Sequence, residues 1–437
     1  MTDTVRNSAL FALVALLIVG TGFLQGANAA LFLLNMGLIS AIMSLGVNLQ
    51  WGFAGLFNIG VMGFVALGGL AAVLIGMPPT TEAIEAGGAG VALAMTLGAV
   101  TIVAAIMAYR HVAPGRLRTL AVIAIIVVGF LIYRSFFDPA RDAIEAVNPA
   151  GTGYLGGFGA EGWWMLLAWP AGGLIAAGAA WVIGKTALGL RSDYLAIATL
   201  GIAEIIIAIL KAEDWLSRGV KNVVGIPRPV SYEVDLQEDP AFLERAANWD
   251  LDPVLASTIY VKLEYTILFT IVLVLILALA QLALASPWGR MMRAIRDNET
   301  AAEAMGKDVT KRHLQIFILG SAICGMAGAM MTTLDSQLTP AAYQPLRFTF
   351  LIWVMVIVGG SGNNFGAVLG GFVIWFLWIQ VEPASQILLE VVTLPLPDGS
   401  ALKDHLFEAS AHMRLFTMGL VLLIMLRFFP RGLIPEK

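Results

Sequence analysis

Apolar runs long enough to cross a bilayer dominate this chain, and no other feature restricts its fold as strongly. Inside hydrocarbon no water satisfies backbone N–H and C=O groups, so spanning segments close their hydrogen bonds internally, as helices of about 20 residues. Up to twelve runs can be traced, near 9–26, 31–47, 52–76, 90–109, 119–133, 162–183, 194–210, 264–285, 313–334, 348–358, 366–382 and 415–426. Three of them (119–133, 348–358 and 415–426) are short, and are expected to be tilted, re-entrant or extended by snorkelling side chains such as Arg427. If 348–358 and 366–382 form a re-entrant hairpin, the parity of crossings is unchanged. The expected fold is an all-α polytopic membrane protein of roughly 10–12 transmembrane helices, some short or interrupted.

Composition narrows the function. Of 437 residues, 59% are hydrophobic and 13% charged, whereas roughly a quarter are charged in a soluble domain. A net charge of -4 argues against a nucleic-acid partner. The single Cys324 excludes an internal disulfide, and His111, His313, His405 and His412 lack metal-ligand spacing, so neither redox nor metal chemistry is expected. The 46 glycines suit close packing of helices in lipid.

Lys and Arg set the orientation, since cytoplasmic loops accumulate them. With the N-terminus inside, inner stretches hold 15 of the 26 basic residues in about 75 positions, and outer stretches hold 11 in about 143. Both termini are therefore expected in the cytoplasm. Arg6, an apolar run and Ala27-Asn28-Ala29 imitate a cleavable signal, but the second run that follows at once favours an uncleaved helix. The outer segment 211–263 carries nine acidic and six basic residues with Pro227, Pro229, Pro240 and Pro253, and is expected to be a periplasmic loop insertion. It fits either a small cap that docks a soluble partner or a plain solvated loop. Residues 383–414 form a second outer loop.

The inner segment 286–312 is too regular for a linker. Arg290, Arg293 and Arg296 recur at i, i+3 and i+6, which sets three cations along one helical face. The chain then restarts: Asp297 and Glu299 lead into Thr300-Ala-Ala-Glu303, a capping-box pattern, and Gly306 suits a helix stop. A short capped helix with small residues Ala301, Ala302 and Ala304 can seat in a cleft of another protein and transmit its motion. A basic interfacial loop is the bland alternative.

These residues resemble a known family. The string with Gly289-Arg290, Ala294 to Glu299 and Ala301-Ala302-Glu303-Ala304-Met305-Gly306 is similar to the coupling loop of ABC importer permeases, in particular permease subunits of branched-chain amino acid importers of LivM type. Asp193-Tyr194 through Thr199-Leu200, Gly201 to Ile205, Gly225 to Pro229 and Gly359 to Gly370 resemble further segments of that family. The chain departs from it where Arg218-Gly219-Val-Lys221-Asn222 stands for Gly-Gly-Pro-Asn-Gly, where Val61 replaces a His, and where Ser361 and Asn363 replace Leu and Ser. The resemblance implies one permease domain over 1–437 with the ABC importer permease fold, and Gly289, Arg290, Arg293, Arg296, Asp297, Glu299, Glu303 and Gly306 as ATPase-coupling residues. It implies no cofactor in this chain, with ATP and Mg held by partner subunits. The implied partners are a homologous permease, two cytoplasmic ATPase subunits, a periplasmic binding protein and membrane lipid, in a bacterial inner membrane.

Candidate pathway residues are Asn58, Tyr194, Glu204, Asn363 and Asn364. Glu204 lies well inside an apolar run, where a charge costs at least ~2.5 kcal/mol on insertion scales. No cation of this chain is expected at its depth, so a pathway role and a packing hydrogen bond both stand open. The Asn48 to Gly60 and Gly359 to Gly366 stretches interrupt apolar runs in both halves, as substrate-holding broken helices do, although tight packing explains them too. Gly178 to Thr186 mimics a phosphate loop with the wrong spacing in a helix end, so nucleotide is expected elsewhere. The rival expectations are a stand-alone secondary transporter coupling protons through Glu204, and a membrane-embedded enzyme using Asp404, His405 or Glu408.

Overall fold

A computed structural model describes residues 3–148, 153–394, 396–397 and 400–436. The first half runs α1 (Asp3–Gln25), α2 (Ala27–Ala54), α3 (Val61–Gly76), a short α4 (Thr81–Ala83) continued by a π-helical turn into α5 (Ala89–His111), α6 (Arg116–Ala146), α7 (Ala168–Ala187) and α8 (Ser192–Ala212). Three small helices, α9 (Asp214–Ser217), α10 (Glu233–Glu238) and α11 (Pro240–Asn248), occupy the next loop. The second half runs α12 (Pro253–Ala285), α13 (Pro287–Asp297), α14 (Glu299–Ala304), α15 (Val309–Asp335), α16 (Pro345–Gly359), α17 (Asn364–Val392), α18 (Ala401–Ala409) and α19 (Met413–Phe428).

Among the described residues, nine helices are long and apolar enough to cross a membrane, or ten if the α18–α19 pair, bent by 59°, is one span; α3 and α16 are shorter apolar helices. All twelve expected runs are helical, but their limits differ for physical reasons. The second run continues to Ala54, and the third begins only at Val61, because Gly55 turns the chain with φ +70°. The expected short run 119–133 is a 31-residue helix. Its polar end stays helical past the apolar stretch, with Arg134 paired to Asp138 at 2.6 Å and Arg141 to Glu145 at 3.7 Å, both one turn apart. Residues 383–392, expected in a loop, extend α17 through Pro383.

The core surrounds α2, 78% of whose most apolar stretch is buried, against 6% for α6. Helices α1, α12, α15, α16 and α17 pack around it and α3 packs on α15 and α7, while α5 and α6 form a hairpin attached to the body mainly through Phe137, Ile144 and Trp215. On one side, Val223–Val224 pairs antiparallel with Gln337–Leu338, tying the 211–263 loop to the end of α15. On the other, Glu436 pairs with Arg296, and Ile434 packs near Val14 of α1. Both ends of the described residues therefore lie on the side that carries α13 and α14.

Glycine allows the closest approach in the core. A Cβ at Gly68 of α3 would collide with the Gly325 carbonyl of α15, and one at Gly328 with the Val65 carbonyl. Gly178 on α7 faces open space. Gly68→Leu is expected to destabilise the fold by more than about 3 kcal/mol, since backbone cannot yield as a side chain can. Gly178→Leu is expected to leave it intact. Monodispersity and thermal unfolding of the two purified variants check the contrast.

Candidate coupling and translocation site

The segment from α13 to α14 projects from the bundle. Its second helix starts two residues earlier than its sequence suggests: Asn298, not Thr300, is the cap, its side chain accepting the Ala301 N–H at 2.9 Å. Asn fits this role as well as Thr, and its extended backbone separates α13 from α14. Gly306, at φ +76°, ends the turn as expected, its N–H donating to the Glu303 carbonyl at 2.8 Å while that of Lys307 donates to Ala302. Only Ala302 is buried, against Ile295 and Val309. Glu299, Ala301, Glu303, Ala304 and Gly306 are exposed, so α14 presents nearly its whole surface.

The three arginines serve the chain itself. Arg290 donates to the Ala285 carbonyl at 3.1 Å and Arg293 to the Leu284 carbonyl at 3.3 Å, capping the C-terminal end of α12. Arg296 donates to the Gly52 carbonyl near the end of α2 and to Glu436 at 2.9 Å, and also pairs with Asp297. Gly289 is buried, and a Cβ there would strike Leu284, so α13 is pressed onto the end of α12. The stub is thus bound rigidly to two core helices.

Beside Gly52 the two interrupted stretches meet. Asn48 donates to Asn364 Oδ1 at 3.0 Å and accepts the Gly362 N–H at 2.9 Å. Gln50 donates to the Phe317 carbonyl and to Ser321, and accepts from Asn58 at 2.9 Å. Asn58 also accepts the Gly60 N–H, and Trp353 donates to the Asn58 carbonyl. Of the candidate pathway residues, Asn58 is therefore buried and committed to this network. Asn363 caps α17 through Phe365 and Gly366 and donates to Pro435. Asn364 is buried with Nδ2 unpartnered. Tyr194 is exposed at the start of α8.

Glu204 stands apart from them. It lines a cavity of about 760 Å³ on the side of the bundle opposite the stub, between α8, the start of α16, α17 and α19. Lys211 and Arg347 line the same cavity. Against the expectation that the chain holds no cation near it, folding brings two to its cavity, one of them from a different helix. Lys211 follows Glu204 by seven residues, two helical turns on the same face, so that cation could have been read from the sequence. Arg347 could not, because α16 reaches α8 only by tertiary packing. Gly178 to Thr186 lies in α7, and His405 and Glu408 in α18.

Residues 143–426 match the family described as branched-chain amino acid transport system / permease component. The chain belongs to this family. It is 28% identical over 212 residues to the high-affinity branched-chain amino acid transport system permease protein LivM of Salmonella typhimurium, covering 48% of each chain. It is 27% identical over 217 residues to LivM of Escherichia coli, 49% of each. A probable LivM of Methanocaldococcus jannaschii is 31% identical over 154 residues, 35% of this chain and 41% of that one. The chain thus spans about half the length of the curated relatives it matches. No solved structure matches it significantly. The family's own description is that of a transport permease component.

One departure from the family pattern is accommodated by backbone shape. Arg218, Gly219 and Asn222 stand where the pattern carries Gly, and all three adopt left-handed backbone, with φ of 56°, 50° and 60°. For the network, Asn48→Ala strands the Gly362 N–H, and a buried donor without a partner costs about 1–3 kcal/mol. A loss of that size is expected in thermal or denaturant unfolding, and an undiminished midpoint would show the clasp to be dispensable.

Proposed function

We propose that the chain is the permease subunit of an ATP-driven ABC importer carrying branched-chain or related small amino acids across a bacterial inner membrane, with both termini and the α13–α14 stub in the cytoplasm. It pairs with a homologous permease, two ATPase subunits that bind ATP and Mg, and a periplasmic binding protein. The observation that carries this reading is the exposed stub wired through Arg296 to Gly52, next to the Asn48 clasp between the two interrupted stretches. A motor that grips α14 moves α13, the ends of α2 and α12, and the start of α17 together. The cavity with Glu204, Lys211 and Arg347 supports the substrate class, since it offers both signs of charge to a zwitterion. Its open face at bilayer depth suits coverage by the second permease, because uncovered charge in lipid is costly.

Gly306→Leu forces a side chain into left-handed backbone, and Glu303→Lys reverses charge on the exposed face of α14. Both are expected to reduce ATP-dependent uptake in proteoliposomes at least about tenfold with expression unchanged, a loss of about 1.4 kcal/mol in coupling. Unchanged uptake in both would remove α14 from the mechanism, and uptake driven by a proton gradient without any ATPase would replace this reading by secondary transport. Arg296→Met keeps the stem but releases Gly52 and Glu436; ATP hydrolysis by the complex is expected to continue while uptake falls.

A further inference from the structure

The charged cavity shares Tyr343 and Leu351 with a second chamber of about 180 Å³ that reaches between α2, α3, α15, α16 and α17. Five of the 14 residues lining this chamber are methionine: Met36, Met43, Met62, Met331 and Met355. The chain's share of 18 Met in 437 residues would place fewer than one there. Thioether side chains are flexible and polarisable, and adapt to several aliphatic shapes. An apolar protein cavity of about 150 Å³ holds a ligand of benzene size, so the chamber has room for a branched hydrocarbon group.

Two polar groups in the lining have no partner. The indole Nε1 of Trp375 is buried without an acceptor among the described residues. Asp335, at the far end of α15, is exposed, and no hydrogen bond or ion pair reaches its carboxylate from the described residues. Of the other two polar groups, the Tyr343 hydroxyl is already engaged with Thr332 at 3.1 Å, and Ser40 is buried in the chamber wall. A spare N–H donor, a spare carboxylate and a soft apolar wall together match the three parts of one class of molecule.

We infer that this chamber binds a zwitterionic amino acid with an aliphatic side chain, the hydrocarbon among the methionines, the ammonium at Asp335 and the carboxylate accepting from Trp375. The inference rests on the importer reading and deepens it. Binding here gives the permease a selectivity of its own, beyond that of any soluble partner. Met355, beside Leu351 and Ile352 on α16, sets the size limit.

Cys324 is the single native cysteine and is buried, so Ser40→Cys introduces one reactive thiol into the chamber wall. In the full chain in its assembled complex, saturating leucine is expected to slow labelling of that thiol by a small methanethiosulfonate at least about tenfold, while aspartate leaves it unchanged. Trp375→Phe is expected to weaken protection by leucine about tenfold. In uptake, Met355→Ala is expected to shift the phenylalanine-to-leucine ratio of kcat/KM at least about tenfold, the scale on which apolar pockets discriminate size. Labelling indifferent to leucine, or protection and selectivity untouched by Trp375→Phe and Met355→Ala in folded protein, overturns the chamber. Failure of the parent complex to import any amino acid with ATP overturns instead the importer reading on which it rests.

Discussion

Asn48 is the side chain on which the arrangement of the bundle turns. Two stretches of backbone leave the helical ladder inside an apolar body, and each exposes amide groups that lipid and aliphatic side chains cannot satisfy. One side-chain amide has both a donor and an acceptor, so it can serve both stretches at once, giving to Asn364 and receiving from Gly362. Gln50 and Asn58 complete the network towards α15 and α16. Without such amides the α2–α3 break would be too costly to bury, and α3 could not lie against α15 at glycine distance.

That solution also determines how motion can travel. The carbonyls at the ends of α2 and α12 need donors, and arginines from the stub supply them. Cations at helix C-termini are favourable both as hydrogen-bond donors and against the helix dipole. A basic segment that the positive-inside rule explains by topology alone thereby acquires a mechanical attachment. Arg296 is the junction, because it joins the stub, the end of α2 and the C-terminal segment through Glu436.

Much of this fold was legible because apolar length is a local property: all twelve runs proved helical, including short α16, bounded by Pro345 and Gly360. Some limits moved because polar contacts set them, as where Arg134–Asp138 and Arg141–Glu145 prolong α6 and Asn298 displaces Thr300 as a cap, and others because of backbone shape, as at Gly55. The glycines and arginines of the stub could be named from spacing, but the carbonyls that the arginines cap lie at helix ends whose positions spacing does not give. Asn58 stands out in the sequence because amides in apolar runs are rare, but its burial and its bonds to Gln50 and Gly60 come from the folded chain. Trp375, Asp335 and the five methionines carried no sequence signal, since they come from five elements between residues 36 and 375.

The clasp also explains how a bundle this apolar can still change shape. Packed hydrocarbon resists sliding because each shift opens voids, whereas a hydrogen bond exchanged for another contributes only about 0.5–1.5 kcal/mol net. A bundle that must open on one side and then the other is best divided along a seam held by a few such bonds. Asn48, Gly362 and Asn364 form that seam on the stub side, while the cavity with Glu204 opens on the opposite side. On the importer reading, parting the seam takes a few kcal/mol, the scale of differential affinity that shifts a two-state population.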